Sequence, residues 1–160
     1  MATLPQLYEE DIAVLDRCLD QLLRSTEAST ALVIDKGGFL ICQRGDVQSF
    51  DTVTLAALAA GSFAATQTIA SIVNEPNFTS LYQQGEEVSM LATSIDQNCV
   101  LVVVFRASLS VGAVKYYAVS TTKQVAAQIH SASVRNPGPG LDLSMMNIAD
   151  TAALFQRKAS

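Results

Sequence analysis

Histidine occurs once in this chain, at His130, and cysteine only at the isolated positions Cys18, Cys42 and Cys99. A single histidine excludes a multi-histidine metal site and argues against a Ser-His-Asp triad. The cysteines are odd in number and share no metal-ligand spacing, so they read as reduced, buried thiols of a cytoplasmic protein. Basic residues are few and scattered singly (Arg17, Lys36, Lys115, Lys123), and the net charge is −5. That balance excludes nucleic acid and an anionic membrane surface as partners, because both need clustered cations. The opening MATLPQLYEED lacks the positive start and apolar run of a signal peptide. Neither a GxxxxGK[ST] phosphate loop nor a GxGxxG turn occurs, so the chain is not itself a P-loop GTPase. No cofactor or metal is expected.

What the sequence does have is apolar residues: 49% of 160 residues are hydrophobic and only 16% charged. A chain of this length buries about two thirds of its unfolded surface, which leaves some apolar residue over for a partner. Residues 6–25 carry Tyr8, Ile12, Leu15, Leu19 and Leu22 at helical spacing. Glu9, Glu10 and Asp11 stand in the first turn, where they oppose the positive end of the helix dipole. Residues 30–34 and 39–43 read as strands joined by Asp35-Lys36-Gly37-Gly38, a hairpin turn in which glycine takes positive φ. Arg44-Gly45-Asp46 then ends the second strand.

Residues 51–73 (DTVTLAALAAGSFAATQTIASIV) are the most unusual stretch. Asp51 is the expected N-cap, alanine dominates the body, and no charge occurs from Thr52 to Asn74. Ala57, Ala60, Gly61, Ala64 and Thr68 fall on one side, while Leu55, Leu58, Ile69 and Ile72 supply larger groups elsewhere. A helix apolar nearly all round is buried on more than one side. The large residues are expected to face a sheet, and the small face to admit another helix or protein. Gly61 costs about 1 kcal/mol relative to alanine in mid-helix, which implies a packing reason. Thr52, Thr66, Gln67, Thr68 and Ser71 make the helix too polar on one side to span lipid.

Asn74-Glu75-Pro76-Asn77 stops this helix. Residues 78–84, 88–94 and 99–105 follow as an antiparallel meander with short turns, the last a fully buried central strand. Over residues 108–132 the helical stripe Val111, Val114, Ala118, Val125 and Ile129 outruns a shorter alternating pattern, with Ser108 or Ser110 as cap. The order α-β-β-α-β-β-β-α predicts an α+β domain over residues 6–133, with a five-stranded antiparallel sheet and helices on both faces. The linker Asn136-Pro137-Gly138-Pro139-Gly140 starts a flexible tail, 134–160. Within it Ile148, Ala152 and Phe155, with Leu154 beside them, mark a short amphipathic helix over 143–158 that suits docking into a groove or folding back on its own domain. Gln83, Gln84, Arg44 and Arg106 are imaginable as phosphoryl-transfer groups, but their sequence context marks none of them as catalytic.

In this order and spacing, certain segments resemble the roadblock (dynein light-chain) family over about residues 7–133, most of all bacterial MglB-like proteins. They are Tyr8-Glu9-Glu10, Leu32 to Gly38, Asp51 to Ala65, Leu101 to Phe105 and Ser108 to Gly112. The resemblance implies a homodimer in which the second helices and third strands meet across a two-fold axis. It implies a Ras-like small GTPase of the MglA type as partner, two regulators per GTPase, in cell polarity or motility. It further implies activation without a donated side chain, the GTPase's own arginine and glutamine being placed for hydrolysis, so that the chain regulates an enzyme and is not one. The partner or dimer face is assigned on this basis to Ala57, Gly61, Ala64, Ala65 and Thr68. Tails of similar proteins dock on the GTPase, a role that would fall on Ile148, Ala152, Leu154 and Phe155. A roadblock scaffold that recruits a GTPase or polarity factor without activating it, and a small-molecule sensory module, are the alternatives.

Overall fold

The computed structural model describes residues 4–135. The helix α1 (Glu9–Thr26) is followed by strands β1 (Thr30–Asp35) and β2 (Leu40–Gly45) and the helix α2 (Thr52–Ile72). Strands β3 (Ser80–Gln83), β4 (Val88–Ser94) and β5 (Cys99–Arg106) and the helix α3 (Val111–Arg135) complete the order. The strands form one antiparallel sheet in the order β2-β1-β5-β4-β3. The α-β-β-α-β-β-β-α order and the five-stranded sheet are those expected from the sequence. Boundaries differ by at most three residues, chiefly at the start of α1 and at both ends of α3, which begins beyond Ser108.

The central strand β5 shows why helices cover both faces. Its alternate residues Cys99, Leu101, Val103 and Phe105 join a cluster with Leu15, Leu19 and Leu22 of α1 and Val114, Val125 and Ile129 of α3. The residues between them, Val100 and Val102, join Leu32 and Ile34 of β1 beneath Ala56, Ala59, Ala60 and Phe63 of α2. Period-two alternation therefore divides the core into two layers.

Local chemistry sets the ends of the elements. The Asp51 carboxylate accepts hydrogen bonds from the backbone N–H of Val53 and Thr54, both at 3.1 Å, and from the Thr54 hydroxyl at 2.6 Å. These bonds, the Thr54 hydroxyl first, hold the carboxyl below the usual range. Gly38 takes φ +100° in the β1–β2 turn, and an added Cβ there would lie 3.1 Å from the Ala57 Cα. The hairpin thus needs glycine both for its backbone and for the close approach of α2. Ser110 caps α3 through its Oγ, which accepts from the Ala113 N–H at 3.4 Å.

One tie joins the two ends of the described chain. Asp11 is fully buried although it stands in the first turn of α1. Its carboxylate accepts two hydrogen bonds from the Arg135 guanidinium, at 3.2 and 2.6 Å, one from the Gln128 amide at 2.7 Å and one from the Tyr8 N–H at 2.8 Å. Arg135 also lies 4.5 Å over the Tyr8 ring. The Arg135 guanidinium lowers the Asp11 pKa to about 2, against the opposing effect of burial. The clamp fixes the last residue of α3 against the start of α1.

Candidate functional site

On α2 the structure corrects the expected division of labour. Apart from Phe63, small residues rather than the large aliphatic ones face the sheet: Ala56, Ala59 and Ala60 are buried beside it. Leu58, Ile69 and Ile72, expected against the sheet, are 64%, 53% and 75% exposed, and Ala60, expected on the outer face, is buried. Only Leu55 of the larger group packs partly against the core. The reason is steric. Alanines let α2 sit close on Leu32, Ile34, Val100 and Val102, and Phe63 alone fills the space that remains.

The outward side of α2 consequently carries both small and large apolar groups. Ala57, Gly61, Ala64, Ala65 and Thr68 are all exposed and lie together on it. Val53, Leu58, Ile69, Ile72 and Val73 flank them, also exposed. The helix is long and apolar enough to cross a membrane by length and composition. Its buried alanines and Phe63 instead make it one layer of the fold. Around Gly61 an added Cβ would meet nothing within 4 Å. The expected packing reason for this glycine is therefore not met by any contact among the described residues. Gly61→Ala is expected to stabilise the isolated domain by about 0.5–1 kcal/mol, read as a rise in thermal midpoint, because the helix gains propensity without a clash.

Next to this face an open groove of about 630 Å³ runs from the first turns of α2 to the β3–β4 turn. Phe50, Leu55, Leu58, Val88 and Met90 line it, with Gln83 and Gln84 at its rim. It is open and predominantly apolar, whereas a small-molecule sensory module needs an enclosed pocket with convergent polar groups. The strand β3 pairs only with β4 and forms one edge of the sheet. Helix, groove and edge strand together make a surface with few charges and many apolar groups, the composition of an interface core.

The side chains imagined for phosphoryl transfer have other places. Arg44 is held by Asp20 of α1 in a two-pronged pair, at 2.8 and 3.0 Å. Arg106 ends β5, exposed, opposite Val88 of β4. The three cysteines are free and buried. Burial pushes the Cys42 thiol up to about 12 and raises Cys18 and Cys99 as well, which keeps all three protonated and poorly nucleophilic. His130 is on the exposed side of α3. The proposed docking residues Ile148, Ala152, Leu154 and Phe155 lie outside the described residues. The clamp on Asp11 was not legible beforehand, since its two partners on α3 are 117 and 124 positions away.

Comparison with known proteins places this architecture. No curated protein matches the sequence significantly. Among solved structures, an MglB with tetrameric arrangement is similar at 27% identity and TM-score 0.76, over 82% of this chain and 99% of its own. Myxococcus xanthus MglB is similar at 29% identity and TM-score 0.74, over 79% and 96%. The gliding protein MglB from Thermus thermophilus is similar at 28% identity and TM-score 0.74, over 82% and 99%. Residues 14–105 match the Roadblock/LC7 domain. That match spans more than half of the chain, from within α1 to the end of β5, and the chain belongs to the Roadblock/LC7 family.

Proposed function

We propose that the chain is a homodimeric, cytoplasmic regulator of a Ras-like small GTPase of the MglA type, and that it activates hydrolysis without contributing a catalytic side chain. The observation that carries this reading is the outward face of α2. It is apolar, uncharged and centred on a glycine whose missing side chain serves no contact within the fold. A surface of that kind suits close approach of a second backbone. The edge strand β3 and the neighbouring groove supply the further area that a dimer needs. The MglB neighbours support a regulator of this class, and the description of one of them as a gliding protein favours a role in motility or polarity.

Activation in this reading is a shift of population. The dimer binds the GTPase conformation in which the GTPase's own arginine and glutamine face the γ-phosphate, and stabilises that conformation by its preferential affinity. Single-turnover GTP hydrolysis by an MglA-type GTPase, with and without the chain, tests it. Acceleration by about 10-fold or more is expected, retained when Arg44, Arg106, Gln83 or Gln84 is replaced by alanine. Binding without acceleration would leave a scaffold. Loss of acceleration in Arg106→Ala with binding intact would identify a donated arginine and refute the proposed mechanism.

A further inference from the structure

A second, smaller cavity opens along α2, with a volume of about 220 Å³ and more enclosed than the groove at the first turns of that helix. Ala60 and Phe63 of α2 and Val100 of β5 line it, all three part of the buried layer beneath the helix. Ala64 and Gln67 of α2 and Lys36 of the β1–β2 turn line it as well, and none of these three is buried. Ala64 also belongs to the face assigned to the partner, so the cavity is continuous with that face.

We infer that this cavity receives one aromatic side chain bearing a hydrogen-bond donor, Tyr or Trp, from the GTPase, an assignment that rests on the GTPase reading above. Three observations select this occupant. The first is size. At about 220 Å³ the cavity exceeds the roughly 150 Å³ that admits a benzene ring, and it falls short of the roughly 300 Å³ at which pockets for whole small molecules begin. One ring projected from a protein surface fits it, and anchors of that kind dominate protein interfaces. The second is a fixed acceptor. The Gln67 amide Nε2 donates to the Phe78 carbonyl oxygen at 2.7 Å, which sets the orientation of the amide. Its Oε1 is left without a partner among the described residues, and an acceptor in the cavity wall selects a ring that carries a donor over phenylalanine. The third is charge. The Lys36 backbone N–H donates to the Asn98 carbonyl oxygen at 2.8 Å and holds the turn in place. Its side chain forms no ion pair among the described residues, and the neighbouring Asp35 carboxylate accepts from the Gly37 N–H at 2.7 Å. An unpaired ammonium at the edge of an apolar cavity attracts the face of an aromatic ring, whereas an aliphatic side chain would gain nothing from it.

Methyl NMR of the wild-type chain titrated with p-cresol, the side chain of tyrosine, and with toluene, which lacks the hydroxyl, tests the site without the GTPase. Saturable shifts are expected at the methyls of Ala60, Ala64 and Val100. Gln67→Leu is expected to lower the affinity for p-cresol relative to that for toluene by about fivefold, the worth of one neutral hydrogen bond. Ala64→Leu sets a larger side chain in the cavity wall, keeps the bond from Gln67 to Phe78 and retains a good helix former. It is expected to weaken both probes, and to weaken GTPase binding in a pull-down by about tenfold or more. Absence of saturable shifts, or an unchanged ratio of affinities in Gln67→Leu, would overturn the site. GTPase binding undiminished in Ala64→Leu would overturn the occupant, and so would an Ala64→Leu chain that sediments as a folded monomer, since the cavity would then belong to the subunit contact. A wild type that binds both probes as expected and no GTPase would instead refute the reading on which the assignment rests.

Discussion

Replacing Ala64 and Thr68 together by arginine is expected to leave a folded domain and to weaken GTPase binding by about 100-fold or more, roughly 3 kcal/mol. Both side chains point away from the sheet, and the hydroxyl of Thr68 makes only a 3.4 Å bond to the Ala64 carbonyl of its own helix. Arginine is a good helix former, so the fold loses little. The loss falls on the complex. Two guanidinium groups would have to be desolvated on a face that has no acidic residue to receive them, since α2 carries no charge from Thr52 to Ile72. A pull-down with GTP-loaded GTPase reads the binding, and sedimentation reads the oligomeric state of the variant alone. Retained binding would remove this face from the partner site. A variant that sediments as a folded monomer would assign it to the subunit contact instead.

The second large effect lies on the opposite face of the sheet. Asp11→Ala is expected to destabilise the domain by about 2–3 kcal/mol in denaturant unfolding, because charge-assisted hydrogen bonds are lost. The cost stays below that of a fully buried pair, since the Arg135 side chain is 39% exposed and can turn to water, whereas that of Asp11 is 1% exposed. The sign of the pH dependence follows from the depressed pKa. An unfolded aspartate titrates near 3.9 and the folded one at about 2. The contribution is therefore present in full above about pH 4 and is lost as the pH falls through about 2. Wild type and Asp11→Ala should converge in stability as the solution is acidified through that window. A difference that persists below about pH 2 would show that Asp11 acts through packing rather than charge.

How much of this was readable beforehand can be judged from single residues. Asp51 was legible as a cap because capping is local: the carboxylate and its donors are two and three positions apart. The core stripes of α1 and α3 were legible because Leu15, Leu19, Val125 and Ile129 obey the helical period. The orientation of α2 was not. With apolar residues all round, its sequence carries no periodic signal to say which side is inward, and side-chain size pointed the wrong way. The sheet needed the small residues for close approach, and the large ones were left outside. Asp11 was misread for another reason. Its position explains it as a first-turn carboxylate, and only the docking of α1 on α3 reveals Arg135 and Gln128 as its partners.

The exposed Leu58, Ile69 and Ile72 strengthen the case for the face assigned to Ala57, Gly61, Ala64, Ala65 and Thr68, because they enlarge the apolar surface that a lone domain would leave in water. The central claim is that this surface engages a GTPase as part of a dimer. Calorimetric titration of the wild-type chain into an MglA-type GTPase held with a non-hydrolysable GTP analogue tests it most directly. Saturation at two chains per GTPase is expected, with the heat abolished by the paired arginine substitutions at Ala64 and Thr68. Saturation at one chain per GTPase, or an undiminished signal from the substituted chain, would contradict it.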